Sequence, residues 1–372
     1  MPSPAADAVA STLDLARARA VLREVFGYPD FRPGQDDIVA AVLAGRDVLA
    51  VMPTGAGKSM CYQLPAIVGE QLTVVVSPLI ALMRDQVAQL RANGVAAGAL
   101  NSATEPGEFR ETMDALAAGR LRLLYVAPER LARADTQEML ARAKVATLAV
   151  DEAHCISQWG HDFRPEYREI GGFAERLGHP QIVALTATAD EATREEIVAG
   201  LFGARPEIFV HGFDRPNLRL AMGPKSDARR QLSRFLEAHR GDSGIVYCTS
   251  RKQTEELAEH FTAQGFTALA YHAGLDTAER SRRQDRFLRD DGIVMTATIA
   301  FGMGIDKPDV RFVAHAGLPK SIEAYYQEIG RAGRDGLPAD TLTLYGTDDI
   351  LLRRRQIDES DASDEQKRVE RQ

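Results

Sequence analysis

Short apolar runs alternate with longer amphipathic stretches over most of the chain. The run DVLAVM at 47–52 is typical of a buried strand, because it is short, rich in aliphatic residues and followed by turn-forming residues. Helical spacing marks the stretches at 79–94 and 108–120. Strands that alternate with helices predict βα units and a mostly parallel sheet covered by helices. Five strands are expected in the first half of the chain, at 47–52, 72–77, 121–126, 145–150 and 181–185.

The second half of the chain repeats this pattern and predicts a second α/β unit of similar kind. Between the two halves, residues 203–226 contain three prolines and no helical period, so we place a boundary near residue 208. The expected units are 1–208 and 209–346, and the charge-dense residues 347–372 are expected to form a solvated helix or the start of a further element. The strands expected in the second unit lie at 243–248, 267–272, 292–297, 310–315 and 341–345.

Composition narrows the class of protein without identifying a partner. With 372 residues, the chain is long enough for two or three domains. Its 45% hydrophobic and 26% charged residues exclude a disordered, collagenous or coiled-coil protein. The net charge of −8 argues against a histone-like polycation, but a local basic groove on an acidic protein can still bind nucleic acid.

Three cysteines, Cys61, Cys155 and Cys248, are far apart, and no CxxC pair occurs. This pattern excludes a zinc site built from cysteine pairs and favours a reduced, cytoplasmic setting. The start of the chain lacks the features of a secretion signal, and the most apolar stretch, 72–83, is too short to span a bilayer. We therefore expect an intracellular protein with no membrane partner, associated with the nucleoid if its source is bacterial.

The segment MPTGAGKS at 52–59 follows an expected strand and opens an expected helix. It matches the second half of a phosphate-binding P-loop, whose glycines let backbone N–H groups face phosphate oxygens. Lys58 would reach the β and γ phosphates, and the Ser59 hydroxyl would ligate Mg²⁺. The alternative is a glycine-rich turn with an exposed lysine, which the order of strand, turn and helix disfavours.

Asp151 and Glu152 begin the sequence DEAH directly after the expected strand at 145–150. A carboxylate at a strand end beside a P-loop can hold Mg²⁺, and the adjacent carboxylate can polarise the attacking water. By itself, such a pair is more often a helix N-cap and a first-turn acid. In combination with the P-loop, the catalytic interpretation is favoured.

Two further segments carry candidate nucleotide contacts. In QEIGRAGR at 327–334, Arg331 and Arg334 are expected on one helical face, as arginine fingers or as a solvated pair. In FGYPDFRPGQ at 26–35, Gln35 suits an adenine edge, and Tyr28 or Arg32 can stack on the ring. The aromatic residues of this segment would otherwise belong to the core.

Together with LTATA at 185–189, these motifs resemble superfamily 2 helicases. The resemblance covers about residues 15–346 and implies two tandem RecA-like lobes of α/β class. Each lobe would be a mostly parallel sheet covered by helices, with the ATP site in the cleft between them. The chain is similar to the RecQ family of DNA helicases in its longer blocks, SPLIALMRDQ (77–86), YVAPER (125–130), AHCISQWGHDFRPEY (153–167), FDRPNL (213–218), YHAGL (271–275) and AFGMGIDKPDVRFVAH (300–315).

The resemblance also implies which residues bind ATP and Mg²⁺. Adenine would be read by Tyr28, Arg32 and Gln35. Mg²⁺ would be ligated by Ser59 and Asp151, while Glu152 would act on water. The second lobe would contribute Gln327, Arg331 and Arg334. The phosphates would be held by Pro53, Thr54, Gly55, Ala56, Gly57, Lys58 and Ser59. Ala56 stands where relatives usually have glycine, which is tolerated if its φ is negative.

The expected DNA track combines the loop after DEAH with positions in both lobes. Aromatic and arginine side chains in a polar loop can stack on bases, at ~1–3 kcal/mol per base. In relatives this loop is aromatic-rich, and here it contains Trp159, His161, Phe163 and Arg164; Trp159 would otherwise be a core anchor. Blocks that line the DNA track in relatives include the positions of Ser77, Arg84, Arg251, Thr296 and Thr298.

Full-length relatives usually continue into a four-cysteine zinc module and often a winged helix and a small terminal domain. No cysteine follows Cys248, so we expect no zinc and interpret the chain as a motor core, shortened by truncation or naturally. The resulting hypothesis is an ATP-dependent 3′ to 5′ DNA helicase that acts on single-stranded and partly duplex DNA in recombination and repair.

Three alternatives stay open at this point: a DNA-stimulated ATPase with little unwinding, a non-catalytic nucleic-acid clamp, and an RNA-dependent relative. We expect a monomer, with single-strand-binding protein or repair proteins as its protein partners.

Overall fold

The computed structural model describes residues 4–157, 163–212, 214–301 and 307–359. The chain forms two compact units, Met1–Phe213 and Asp214–Gln372, and each unit has its own parallel sheet. The predicted fold class, α/β with two tandem units, is therefore confirmed. Within the described ranges, no helix combines the length and the apolar character needed to cross a membrane.

The first unit is a seven-stranded sheet with helices on both faces. Its strands are β1 (Val48–Val51), β2 (Thr73–Val76), β3 (Ala97–Leu100), β4 (Leu123–Val126), β5 (Thr147–Val150), β6 (Gln181–Thr186) and β7 (Glu207–Val210). The strand order is β3-β4-β2-β5-β6-β1-β7, and every pairing is parallel. Its helices are α1 (Pro4–Glu24), α2 (Gln35–Leu43), α3 (Met60–Val68), α4 (Ile80–Ala92), α5 (Pro106–Ala117), α6 (Pro128–Leu131), α7 (Ala134–Arg142), α8 (Ile170–Arg176) and α9 (Glu191–Leu201), with 3₁₀ turns at Ala153–Ile156 and Pro165–Glu169.

The central strands of this sheet are buried on both faces, which explains their continuous apolar sequences. In β2, Val74 and Val76 pack into one hydrophobic core, while Val75, on the opposite face, packs into the other. The first core also receives side chains of α5, α7, α8 and α9, and the second receives side chains of α2, α3 and α4. The sheet is thus the middle of three layers.

The second unit has the same architecture with six strands. They are β8 (Leu218–Pro224), β9 (Ser243–Tyr247), β10 (Thr267–Tyr271), β11 (Ile293–Ala297), β12 (Val310–His315) and β13 (Ala339–Tyr345). The order is β10-β11-β9-β12-β13-β8, again with parallel pairings throughout. Its helices are α10 (Ala228–Glu237), α11 (Arg251–Ala263), α12 (Thr277–Arg289), α13 (Ile322–Ile329) and α14 (Thr347–Glu359). Side-chain N-caps fix the starts of four of them, through Asp227, Ser250, Asp276 and Ser321.

Three strands, β3, β7 and β8, have no counterpart among the expected ones, and all three lie at sheet edges. β3 is buried but consists largely of small residues, AGAL, whereas β7 and β8 are partly exposed, so their sequences need not be continuously apolar. The β8 side chains Leu220 and Met222 are 55% and 60% exposed. The boundary expected near residue 208 falls inside β7, which pairs with β1, so the first unit continues to Phe213.

Residues 347–359 form α14, and its first turn is tied to the second sheet. Lys225, directly after β8, lies 2.8 Å from an Asp348 carboxylate oxygen and 2.7 Å from an Asp349 oxygen. Asp349 and Ile357 are buried. The stretch is therefore a helix, largely exposed as expected for a solvated one, and the ion pairs and the buried Ile357 anchor it to the second unit.

Candidate functional site

The P-loop segment connects β1 to α3, and all of its residues from Pro53 to Ser59 are half-buried. Gly55 and Gly57 have φ values of 82° and 77°, a left-handed conformation that glycine adopts without strain. Ala56 is not among the described residues with positive φ. Alanine in place of the glycine usual in relatives therefore causes no backbone strain here. The backbone therefore turns as a phosphate cradle requires.

Lys58 makes few contacts that would compete with phosphate binding. Its ammonium group lies 3.4 Å from the Met52 carbonyl oxygen, which is at the long limit for a hydrogen bond. The neighbouring Cys61 thiol is fully buried, and burial raises its pKa to about 12. The thiol therefore stays protonated, and the lysine is the charged group on this turn.

Asp151 and Glu152 follow β5, at the same sheet edge as the P-loop. Asp151 is 7% exposed, and its carboxylate accepts hydrogen bonds from the Glu152 N–H at 3.0 Å and the Ser77 hydroxyl at 3.4 Å. Burial and the Glu152 charge raise the pKa of Asp151 to about 7, while the nearby Lys58 charge opposes that rise. The fold thus brings the lysine and this carboxylate into one electrostatic neighbourhood.

Glu152 is held in an unusual backbone conformation, with φ of 49°. Its Oε2 atom is buried and accepts no hydrogen bond from the described residues, although the His154 Nδ1 atom lies 3.4 Å away. The same His154 nitrogen lies 2.8 Å from the Thr186 hydroxyl, at the end of β6. DEAH is therefore linked directly to the LTATA block, and Glu152 presents a buried acceptor beside Asp151.

The donor set fits Mg²⁺, which prefers oxygen ligands and few protein carboxylates. Ser59 supplies a hydroxyl, and Asp151 supplies a buried carboxylate. Among the described residues, no group of three or more His, Cys, Asp and Glu side chains could hold a metal ion by itself. A magnesium ion at this place would therefore complete its ligand shell with phosphate and water oxygens, as in other nucleotide sites.

The raised pKa of Asp151 predicts how the stability of the metal-free protein depends on pH. The folded protein binds more protons than the unfolded chain between the usual value of 3.8 and about 7, so stability falls as pH rises through this window. In EDTA, the unfolding free energy of the wild-type protein should fall between pH 5 and pH 8. In Asp151→Asn, it should fall by about 2 kcal/mol less over the same interval. Urea titrations at both pH values measure this loss.

The control for that measurement is Asp114→Asn, because Asp114 is exposed on α5. It should follow the wild-type protein at both pH values. If Asp151→Asn has the same pH dependence as wild type, the raised pKa is contradicted.

The expected adenine reader, Gln35, is engaged inside the protein. Its side chain is 2% exposed; its carbonyl oxygen accepts from the Arg32 N–H at 2.7 Å, and its amide donates to the Ala56 and Gly57 carbonyls at 2.9 and 3.0 Å. The prediction that Gln35 offers its amide to a base edge does not match this arrangement. Instead, Gln35 ties the segment at 26–35 to the P-loop backbone.

The other two residues of this segment differ in exposure. Arg32 donates a hydrogen bond to the Gly55 carbonyl, so it also braces the P-loop. Tyr28 is 43% exposed and offers a ring face for stacking. Of the three residues expected to read adenine, Tyr28 is the one whose placement in the fold suits a direct contact.

The second unit holds Gln327, Arg331 and Arg334 near the end of α13. The expectation that both arginines share a helical face is wrong, because α13 ends at Ile329 and Gly333 has φ of 56°. Both arginines lie in the turn that follows. Arg331 is 8% exposed and lies near Tyr247, whose pKa its charge lowers, whereas Gln327 and Arg334 are half-buried.

The helix that leads to this turn is anchored to the sheet. Glu328 is buried, and its carboxylate lies 2.9 Å from the His315 Nε2 atom; the His315 Nδ1 atom lies 3.2 Å from the Thr343 hydroxyl. Tyr247 stacks on the His315 ring at 5.4 Å. Burial raises the pKa of Tyr247 to about 12, although Arg331 opposes the rise. Tyr247 therefore stays a neutral hydrogen-bonding group beside Arg331.

Several residues expected along the DNA track are exposed or half-buried. Arg84 on α4 and Arg251, the first residue of α11, are exposed, and Thr298 is half-buried. Phe163 and Arg164 are half-buried. The Phe163 ring lies 5.5 Å below the Arg168 guanidinium, and Arg164 lies 3.9 Å from Glu129. Trp159 and His161 lie outside the described residues.

Two residues of the expected DNA track are buried instead. Ser77 is 1% exposed, and its hydroxyl donates to Asp151. Thr296 is fully buried in β11, and its hydroxyl donates to the Thr254 and Leu269 carbonyls at 2.9 and 3.3 Å. Their hydroxyls are satisfied within the protein, so Ser77 belongs to the carboxylate cluster and Thr296 to the sheet.

One residue of the site had no role in the sequence interpretation. Tyr167 is fully buried, and its hydroxyl donates to the Asp151 carbonyl oxygen at 2.8 Å. It therefore fixes the far end of the loop after DEAH to the strand end that carries the carboxylates. The signal that could have identified it was its place at the end of the block at 153–167.

Comparisons with known proteins agree with these motifs. The DEAD/DEAH box helicase family matches residues 32–197, and the helicase conserved C-terminal domain family matches residues 227–336. The ATP-dependent DNA helicase RecQ of Pasteurella multocida is 51% identical over 87% of this chain and 51% of that protein. The probable ATP-dependent DNA helicase RecS of Bacillus subtilis is 39% identical over 92% of this chain and 70% of that protein.

Solved structures match the fold over most of the chain. The helicase Lhr of Mycobacterium smegmatis, bound to ssDNA and AMP-PNP, has a TM-score of 0.68 at 24% identity, over 93% of this chain and 50% of that one. This likeness shows a RecA-like helicase fold. The chain spans about half the length of the RecQ proteins that it matches at 51% identity. With this identity and both helicase domains, the chain belongs to the RecQ family of DEAD/DEAH-box helicases.

Proposed function

We propose that this chain is an ATP-driven motor that moves 3′ to 5′ along single-stranded DNA and unwinds duplex DNA in recombination and repair. The observation that carries the proposal is the grouping of Lys58, Asp151 and Glu152 at one edge of the first sheet. A lysine on a phosphate-binding loop beside two carboxylates is the minimal set of groups for hydrolysing a nucleoside triphosphate. Membership of the RecQ family supports DNA as the polymer that stimulates it.

The residues of the P-loop bind and orient the triphosphate. Backbone N–H groups of the P-loop face the phosphates, and Lys58 places a positive charge near the β and γ groups. Ser59 and Asp151 hold Mg²⁺, which when bound neutralises phosphate charge. Tyr28 stacks on the base, while Arg32 and Gln35 hold the P-loop backbone.

Glu152 acts on the attacking water. Its buried Oε2 atom accepts a proton or a hydrogen bond from the water, and no hydrogen bond from the described residues competes for it. From the second unit, Gln327, Arg331 and Arg334 stabilise the charge that develops on the leaving phosphates. The chain's own groups thus supply binding, a proton acceptor and positive charge.

The DNA track runs past exposed cations and half-buried aromatic groups. Arg84 and Arg251 contact phosphates, whereas Phe163 and Arg164, together with Trp159 and His161, stack on bases. The protein works as a monomer in the cytoplasm or at the nucleoid, on single-stranded and partly duplex DNA, beside single-strand-binding and repair proteins.

We expect the ATPase rate to rise at least tenfold when a single-stranded DNA oligomer is added, and much less with an RNA oligomer of the same sequence. The reason is that a motor hydrolyses ATP productively only when its track is occupied. Because phosphate contacts release counterions, DNA binding should weaken steeply between 50 and 200 mM salt, by roughly tenfold or more. Coupled ATPase assays and fluorescence anisotropy measure the two effects.

Equal stimulation by RNA would favour an RNA-dependent motor, and an ATPase rate indifferent to both polymers would contradict the proposal. DNA binding without any turnover in Mg²⁺ and ATP would indicate a non-catalytic clamp. Stimulated ATPase without strand separation on a partly duplex substrate would limit the function to translocation.

A further inference from the structure

The turn Gly330–Arg334, named here the arginine turn, has no helical hydrogen bonds to hold its shape beyond its first residues. The Arg331 and Ala332 N–H groups still bond back to Glu328 and Ile329, at 3.3 and 3.0 Å. Gly333 then leaves the helical conformation with φ of 56°. A turn of this kind can place an arginine accurately only if other groups fix its carbonyl oxygens.

Arg215 supplies most of those contacts. One of its terminal nitrogens donates to the Ala332 and Gly333 carbonyls at 2.9 and 2.8 Å, and the other lies 3.4 Å from the Gly330 carbonyl. Three carbonyls of one short turn thus converge on a single guanidinium. A planar group with donors at fixed angles imposes one geometry on these carbonyls, which a flexible ammonium would not.

Asn217 adds a second set of contacts to the same turn. Its amide nitrogen donates to the Gly333 and Leu337 carbonyls, both at 2.9 Å, while its backbone carbonyl accepts from the Ala339 N–H. Its carbonyl oxygen lies 3.4 Å from the Arg215 Nε atom. A Cβ atom added to Gly333 would come within 2.5 Å of the Asn217 amide nitrogen, so this close approach requires glycine.

We propose that Arg215 and Asn217 are positioning residues that hold the arginine turn in the conformation in which Arg331 and Arg334 act. The inference rests on the proposed role of these two arginines in ATP hydrolysis. The terminal nitrogens of Arg215 donate to carbonyls of its own unit, so we assign it a positioning role and no phosphate contact. Its effect on the reaction is indirect, through the placement of the arginines.

Arg215 also lies at the start of the second unit. It is the second residue of the second unit, directly after the boundary at Phe213. The point where the chain enters this unit is therefore bonded to the turn that carries the arginines.

The test replaces Arg215 by lysine, which keeps the charge but loses the planar set of donors. We expect the DNA-stimulated kcat to fall about 10- to 100-fold, since a small misplacement of a catalytic group has effects of that size. The KM for ATP and the Kd for single-stranded DNA should stay within about twofold. The matched control is Arg219→Lys, four residues on, where an 85% exposed arginine lies 3.7 Å from the Asp340 carboxylate, its one ion pair among the described residues.

Two further variants separate positioning from folding. Asn217→Ser leaves Arg215 in place. It should lower kcat as Arg215→Lys does, with a smaller change in Tm than that variant shows. Adding Arg215→Lys to Arg334→Ala should lower kcat by less than Arg215→Lys does in the wild-type background, because one of the two arginines that Arg215 positions is already gone. A fully additive loss in that double variant would overturn the inference.

The outcomes distinguish this inference from the proposed function. If Arg334→Ala lowers kcat while Arg215→Lys and Asn217→Ser do not, the positioning role is wrong and the proposed function stands. If Arg334→Ala leaves kcat unchanged, the assignment of the arginines fails, and the positioning role fails with it. A parallel loss of Tm, ATP affinity and DNA affinity in both variants would also overturn it, because that result indicates general unfolding.

Discussion

The Lys58→Ala variant should hydrolyse ATP at least about 10²- to 10³-fold more slowly than the wild-type protein in the presence of single-stranded DNA. The physical reason is that the lysine supplies the only cation among the P-loop residues 52–59, and a preorganised charge at the phosphates is worth several kcal/mol in the transition state. Steady-state kcat from a phosphate-release assay measures the loss.

Folding should survive this change, because the ammonium group makes a single long contact of 3.4 Å to the Met52 carbonyl. We expect Tm to stay within a few degrees and DNA binding to persist. Lys252→Ala is the matched control, since Lys252 is 86% exposed and pairs only with Glu256. A Lys58→Ala protein with a near-normal kcat would contradict the assignment of the P-loop.

The Glu152→Gln variant should lose about 10² -fold or more in DNA-stimulated kcat while ATP still binds. Glutamine keeps the size of the side chain and removes the proton-accepting carboxylate, so the change is confined to the chemistry. It also removes the negative charge that helps to raise the pKa of Asp151, so that carboxyl should titrate at lower pH. Single-turnover hydrolysis together with a fluorescent ATP analogue separates the chemical step from binding.

Glu169→Gln is a suitable control, because Glu169 closes the 3₁₀ turn at Pro165–Glu169 in the same unit. It should behave as wild type in both assays. If Glu152→Gln lowers ATP binding as much as kcat, the residue supports the structure of the site and does not act on water.

The sequence predicted which motifs meet at one edge of the first sheet, because these motifs are contiguous and stand at strand ends. Parallel strands bring their carboxyl ends to one edge, so MPTGAGKS after β1 and DEAH after β5 had to lie near each other once the sheet formed. The central strands were also predictable, since burial on both faces demands continuous apolar runs. Local pattern and tertiary structure agree where burial is complete.

Other features depend on contacts between residues distant in sequence, and the pattern did not reveal them. The edge strands β7 and β8 pair on one side only. Because several of their positions are exposed, their sequences lack the continuous apolar run that indicates a strand. Thr296 looked like a surface contact, yet its hydroxyl is satisfied by carbonyls 42 and 27 residues away along the chain. The end of α13 depends on Gly333, whose conformation is enforced by Asn217 from the start of the unit.

The bonds that join Gln35 to the P-loop have a consequence for the design of inhibitors. A compound that reaches for the Gln35 amide must first replace its hydrogen bonds to Ala56 and Gly57, and each buried group left unpaired costs about 1–3 kcal/mol. A compound that stacks on the exposed Tyr28 ring leaves these bonds intact. The design of inhibitors for this site should therefore begin from flat aromatic groups that stack on Tyr28. Polar groups should be added only where they leave the hydrogen bonds of Gln35 intact.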